Sequence, residues 1–107
     1  MLQSIRDDDS VIVRLAGELD HYCAQSVRRE LDGLIADPGV RRLILDFSRL
    51  QFMDSSGIGV ILGRYRQLRD RGGMVGVIHM NPHIARIFHM SGMGRVIRQL
   101  DKQEAAQ

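Results

Sequence analysis

Tryptophan is missing from this sequence, and cysteine and lysine each occur once. Each scarcity narrows what the protein can do. With Cys23 alone no internal disulfide can form, which predicts a reducing, cytoplasmic setting. Cys23 itself reads as a small packing residue, because nothing near it marks a nucleophile. No apolar run approaches the roughly 20 residues of a membrane-spanning helix, and Met1 to Asp7 lacks a charged-then-apolar leader pattern. A membrane is therefore not expected as a partner. Basic charge is not concentrated either: fourteen of the fifteen basic residues are arginines spread over every segment, and the formal net charge is only +2. Arg64, Arg66, Arg69 and Arg71 go round their helix, as a solvated surface would, and no tryptophan interleaves them. Direct nucleic-acid binding is not expected. What remains is an ordinary globular composition, 44% hydrophobic and 26% charged over 107 residues. That length predicts a single domain, 1–107, with a real core.

Taken in order, the chain alternates strand and helix signals. Leu2–Arg6 and Val11–Ala16 read as strands joined by the polar turn Asp7 to Ser10. In the second, Val11, Val13 and Leu15 share one face. Gly17 to Asp20 ends that strand, with Asp20 as N-cap of a helix whose stripe is Ala24, Val27, Leu31, Leu34 and Ile35. Asp37-Pro38-Gly39 stops the helix. Val40–Phe47 is a third strand, and its continuous apolar centre predicts an interior position with both faces covered. A central helix over Ser55 to Arg71 exits at Gly72-Gly73, and Met74–Ile78 is a fourth strand. Asn81-Pro82 opens a third helix with buried Ile84, Ile87 and Phe88. Val96-Ile97 reads as a short edge strand, and Asp101 to Gln107 as a fraying end or a stub of helix. The pattern is α/β, a mixed sheet of four to five strands with helices packed against it. In such sheets partners meet the loops beyond the carboxyl ends of the strands. The loops Glu18 to His21 and Phe52 to Ser56 should share that end.

The chain turns on Phe52 to Tyr65. Its periodicity predicts that Ile58, Ile61, Leu62, Tyr65 and Leu68 face the sheet. Asp54 and Ser55 stand where that helix should begin, so two serine hydroxyls lie at a helix N-terminus, which favours anions. Glu18, Asp20 and Asp54 should rim Ser55, an acidic edge suited to a partner's arginine or lysine. Ile58, early in the helix, could add an apolar anchor, and His21 adjoins Asp20 at the same place.

Other chemistries fit less well. Gly57-x-Gly59-x-x-x-Gly63 matches neither a dinucleotide fingerprint nor a P-loop, and close helix packing explains it better. Met53 stands where a nucleophile elbow on Ser55 needs glycine. His79 and His83 are split by Asn81-Pro82 and share no helical face, so no metal is expected, nor any cofactor.

Three strings, Gly17-Glu18-Leu19-Asp20-His21, Phe52 through Tyr65 and Met90-Ser91-Gly92-Met93, resemble the anti-sigma factor antagonists with the STAS fold, nearest their sporulation branch. The resemblance runs from the first strand to about Arg98. It implies a switch protein and not an enzyme, phosphorylated on the first serine of Asp-Ser-Ser-Gly, here Ser55. It implies a partner that is both anti-sigma factor and serine kinase, and a serine phosphatase that reverses the modification. The surface for that partner would comprise Glu18, Asp20, His21, Asp54, Ser56, Gly57, Ile58 and Gly59, on a protein that is monomeric when free. The family commonly has a longer last helix, so here the final helix is expected to be short or missing. A STAS module of another stress-signalling or ligand-sensing circuit is the alternative, and a small serine hydrolase a remoter one.

Overall fold

The computed structural model describes residues 2–106, with backbone only at Lys102 and Ala106. Five strands, β1 (Leu2–Asp7), β2 (Ser10–Leu19), β3 (Arg42–Met53), β4 (Met74–Ile78) and β5 (Arg98–Gln99), form one sheet in sequence order. β1 and β2 pair antiparallel, turning at Asp8-Asp9, where Asp8 takes the left-handed conformation (φ 54°) that aspartate tolerates. Every later pairing is parallel, as strand-helix-strand crossovers require. Between the strands run α1 (Ala24–Leu34), α2 (Ser55–Asp70) and α3 (Pro82–Met90), followed by a 3₁₀ turn at Met93–Arg95 and a short α4 (Lys102–Ala106).

Alternation along the strands builds two cores. Val11, Val13, Leu15, Leu43, Leu45, Phe47, Val75 and Val77 face α1, α2 and α3 and form the main one. Ile44, Ile78, Leu100 and Ala105, with half-buried Ile12 and Met74, form the smaller one on the opposite face. The centre of β3 is therefore covered on both sides, as its unbroken apolar run predicts, and Leu43 through Phe47 are all buried.

Several boundaries differ from the sequence reading. β2 does not stop at Ala16: it continues to Leu19 across a register shift at which β3 carries the extra residue and Gly17 takes a left-handed conformation (φ +89°) that favours glycine. Glu18 is thus a strand residue, opposite Phe52, and β3 likewise runs on to Met53. Asp20 does not cap α1 itself. Its carboxylate accepts from the Tyr22 and Cys23 N–H groups (3.0 and 3.1 Å) and closes the turn before the helix. The last strand is Arg98–Gln99 and not Val96-Ile97, which follow the 3₁₀ turn. The final helix is present and short, and Gln107 lies outside the described residues. Asn81 and Pro82 open α3 as expected, with Asn81 Oδ1 accepting from Ile84 N at 2.8 Å.

α2 sets its expected stripe against the main core, where half-buried Ile58, Leu62 and Tyr65 pack beside buried Ile61 and Leu68, but its most buried side extends past that stripe. Its buried face is Gly57, Val60, Ile61, Arg64 and Leu68, while Ile58, Leu62 and Tyr65 are only half-buried. Arg64 is not part of a solvated surface, since only 7% of it is exposed. The glycines divide: a Cβ on Gly57 would strike the Leu19 carbonyl oxygen and lie 2.6 Å from Leu19 Cγ, whereas Gly59 and Gly63 have nothing within 4 Å. Of these three, Gly57 alone serves close packing.

A second charged group is buried on the small-core face. Asp46 is 6% exposed and accepts from Ser48 N (2.9 Å), with Arg14 Nε at 3.4 Å and His79 Nδ1 at 3.2 Å. Burial alone would push its carboxyl up, but the Ser48 hydrogen bonds and His79 outweigh it and hold the carboxyl below its ordinary value. A carboxyl lowered in the folded state stabilises fully above its unfolded value of about 3.9, and that stability is lost as pH falls through the folded value. Asp46→Asn should therefore melt below the wild type at neutral pH. The gap should close as the melts are repeated at pH values falling below the ordinary aspartate value of about 3.9.

Candidate functional site

Two strand ends and one helix start meet at the carboxyl edge of the sheet. Leu19, the last residue of β2, pairs with Met53, the last of β3, and Asp54 N donates to Leu19 O (3.3 Å). Asp54 then caps α2 in an extended conformation. Its Oδ1 accepts from Ser56 N (2.9 Å) and Gly57 N (3.3 Å), satisfying two of the helix's unpaired donors. Its Oδ2 accepts from His21 N (3.1 Å) on the segment after β2. One carboxylate thus ties the two sequence motifs together, which is stronger than adjacency at the same edge.

Ser55, the first helical residue, is exposed; Ser56 is half-buried. Glu18 and His21 are exposed, Asp20 and Asp54 half-buried, Ile58 half-buried and Gly59 exposed. Gly57 is buried under Leu19, so it seats the helix and offers no surface of its own. Cys23 packs against the main core, and burial together with Asp20 and Glu18 pushes its thiol up. It stays protonated at neutral pH, as a packing residue would. Among the described residues no group of His, Cys, Asp and Glu is arranged to hold a metal ion.

The sequence reading missed three features near this edge. Tyr22 is 89% exposed, an aromatic ring beside His21 with ring centroids 5.5 Å apart. Phe52 is 40% exposed and stacks on His83 at the start of α3. A groove of about 450 Å³ opens between α1 and α2, next to Ser56. Tyr22 could have been suspected from its place in the Asp20 turn, where a large apolar ring has no core to enter. The groove has no signature in one dimension.

Known proteins resemble the chain throughout. The STAS domain family model matches residues 2–106. An anti-sigma F factor antagonist of Paenibacillus polymyxa is 42% identical over 93 residues, covering 87% of this chain and 80% of the relative. Among solved structures, the anti-sigma factor antagonist SpoIIAA in its unphosphorylated form superposes with a TM-score of 0.84 at 34% identity, over 99% of this chain and 93% of that one. The Bacillus cell fate determinant SpoIIAA in its phosphorylated form gives 0.76 at 34% identity, over 99% and 96%. No helix among the described residues is long and apolar enough to cross a membrane. By its fold, its matched length and the motifs gathered at one sheet edge, the chain belongs to the STAS domain family, among the anti-sigma factor antagonists.

Proposed function

We propose that this protein is a phosphorylation-switched anti-anti-sigma factor. Unphosphorylated, it binds an anti-sigma factor that is also a serine kinase and so releases the sigma factor. The kinase phosphorylates Ser55, binding is lost, and a serine phosphatase restores the hydroxyl. The protein is then a substrate and not an enzyme, acting in the cytoplasm as a monomer when free. The observation that carries this reading is the placement of Ser55. It is exposed at the first position of α2, beside the Asp54 carboxylate that ties α2 to the segment after β2. The identity to anti-sigma factor antagonists supports it independently. Incubation with such a kinase and ATP, followed by fragmentation mass spectrometry, tests it. Phosphate should sit on Ser55; phosphate mainly on Ser56, or none with a competent kinase, would overturn the assignment.

The surface around Ser55 would comprise Glu18, Asp20, His21, Asp54, Ser56, Ile58 and Gly59, with Tyr22 as an added aromatic anchor. Its acidic members call for basic groups on the partner. Glu18→Gln should weaken association by about two- to tenfold and flatten its salt dependence, with the melting temperature nearly unchanged. Asp20→Asn is the cleaner comparison, because an asparagine oxygen can still accept from the Tyr22 and Cys23 N–H groups. A salt series by titration calorimetry checks both; equal affinity throughout would remove these residues from the interface.

A further inference from the structure

Helices cover only part of the small-core face of the sheet. α4 and Leu100 close it over β3 and β4, where Ile44 and Ile78 are buried. Toward β1 the cover ends before the apolar row does. Ile5, Ile12 and Ile44 stand side by side on β1, β2 and β3. Ile44 is fully buried, Ile12 half-buried, and Ile5 68% exposed. The next row, Gln3, Arg14 and Asp46, is polar, and Ala16 and Arg49 follow beyond the register shift. Asp46 is already engaged by Ser48, His79 and Arg14. Arg14 nonetheless keeps nearly half of its side chain in water. Arg49 is exposed and makes no ion pair among the described residues. Two adjoining hollows of about 270 and 220 Å³ share Gln3 and Arg14 on this open half.

The open half has the width of one helix. β1 and β2 lie two strand spacings, about 9.6 Å, from the β3–β4 pair under α4. Helices packed side by side stand about 8–10 Å apart. The chemistry of this half is graded along the strands as well. Ile12, Arg14 and Ala16 advance by about 6.6 Å per step, close to the roughly 6 Å that four residues of a helix cover. A helix laid along β2 with an apolar residue on Ile5 and Ile12 would set the residues four and eight positions on over Arg14 and Arg49. Asp7, exposed at the other end of β1 on the same side, would repel a carboxylate and so fixes which end is acidic. We propose that this face docks an acidic amphipathic helix of a partner protein, its apolar stripe on Ile5 and Ile12 and its carboxylates on Arg14 and Arg49. The face lies across the sheet from α2, so docking there does not depend on the state of Ser55.

The test is a titration of the purified, unphosphorylated protein, isotope-labelled at its amides and isoleucine methyls, with a synthetic helical peptide of about 15 residues. The peptide carries leucines along one stripe and glutamates beside them at one end; its counterpart replaces the glutamates by lysines. Saturable shifts at Ile5, Ile12, Arg14 and Arg49 are expected with the acidic peptide and not with the basic one. Ile5→Ser, at an exposed position, should weaken binding about tenfold with the melting temperature nearly unchanged. Arg49→Glu, which breaks no ion pair, should reverse the preference between the two peptides. Shifts centred on Tyr22 and Ser55, equal binding of both peptides, or no saturation would overturn the proposal. Shifts at Ile5 and Ile12 that grow with protein concentration alone would assign the face to a second copy of the chain, and would overturn it too.

Discussion

Phosphorylation of Ser55 should weaken binding to the anti-sigma partner by at least about a thousandfold, about 4 kcal/mol, while the fold stays as it is. The group adds about −1.5 to −2 charges at neutral pH. In the free protein it stands exposed at the start of α2, where the dipole stabilises it by about 0.3–1 kcal/mol. The gain is limited because Asp54 already occupies the Ser56 and Gly57 N–H groups. In the complex the same phosphate would be desolvated and crowded beside the Asp54 carboxylate, where like charge repels. Remodelling of the domain is not expected. Val60, Ile61 and Leu68 fix α2 to the main core, and re-exposing each would cost about 1.5–3 kcal/mol. A phosphate gains at most about 2 kcal/mol from the dipole, too little to move the helix. Backbone chemical shifts of the two forms should differ only around Asp54 to Gly59 and Gly17 to His21. Ser55→Asp should reproduce the loss of binding in part, since a carboxylate brings less charge and bulk. Shifts spread through the far strands, with a changed denaturant m-value, would mean an allosteric switch instead.

The sequence made the middle of each element legible and its ends much less so. Leu43 to Phe47 has one physical solution, a strand covered on both faces, and Asn81-Pro82 has one use, a helix start. The ends depend on tertiary contacts. β2 reaches Leu19 because β3 absorbs the register shift beside Gly17 with an extra residue and then offers a continuing parallel edge, and neither fact is local. The extent of the buried side of α2 is the most instructive difference. Counting large apolar residues favours Ile58, Leu62 and Tyr65, but the closest approach to the sheet is made by Gly57, which has no side chain to count. With Gly57 innermost, Arg64 two turns later must be buried as well, an outcome no propensity would assign to arginine. The helix-start placement of Ser55, the proposed acceptor, was legible. Its electrostatic setting was not, because the bond from His21 N to Asp54 Oδ2 joins residues 33 positions apart.

The same geometry predicts that two glycines of one helix respond to alanine with opposite signs. Gly57→Ala should destabilise the protein by about 1–3 kcal/mol, as overpacking at a rigid contact does. The added Cβ would strike the Leu19 carbonyl oxygen, which is backbone, and lie 3.0 Å from Met53 Cγ. That carbonyl also accepts from Asp54 N, so the contact can relax only by lifting α2 away from the ends of β2 and β3. Lifting it strains the bonds from Ser56, Gly57 and His21 to Asp54, and so loosens the site along with the fold. Gly63→Ala meets nothing within 4 Å and lies mid-helix, so the gain in helix propensity, about 0.5–1 kcal/mol, should appear as added stability. Thermal melts of the two variants check the pair. For a domain of this size each kcal/mol moves the midpoint by about 4–8 °C, so the two midpoints should stand well apart on either side of the wild type. Amide exchange separates the causes further: in Gly57→Ala the Ser56, Gly57 and His21 amides should lose protection before those of the β3 centre. Equal midpoints for the two variants would mean that α2 does not rest on Leu19. The switch surface would then need a different support.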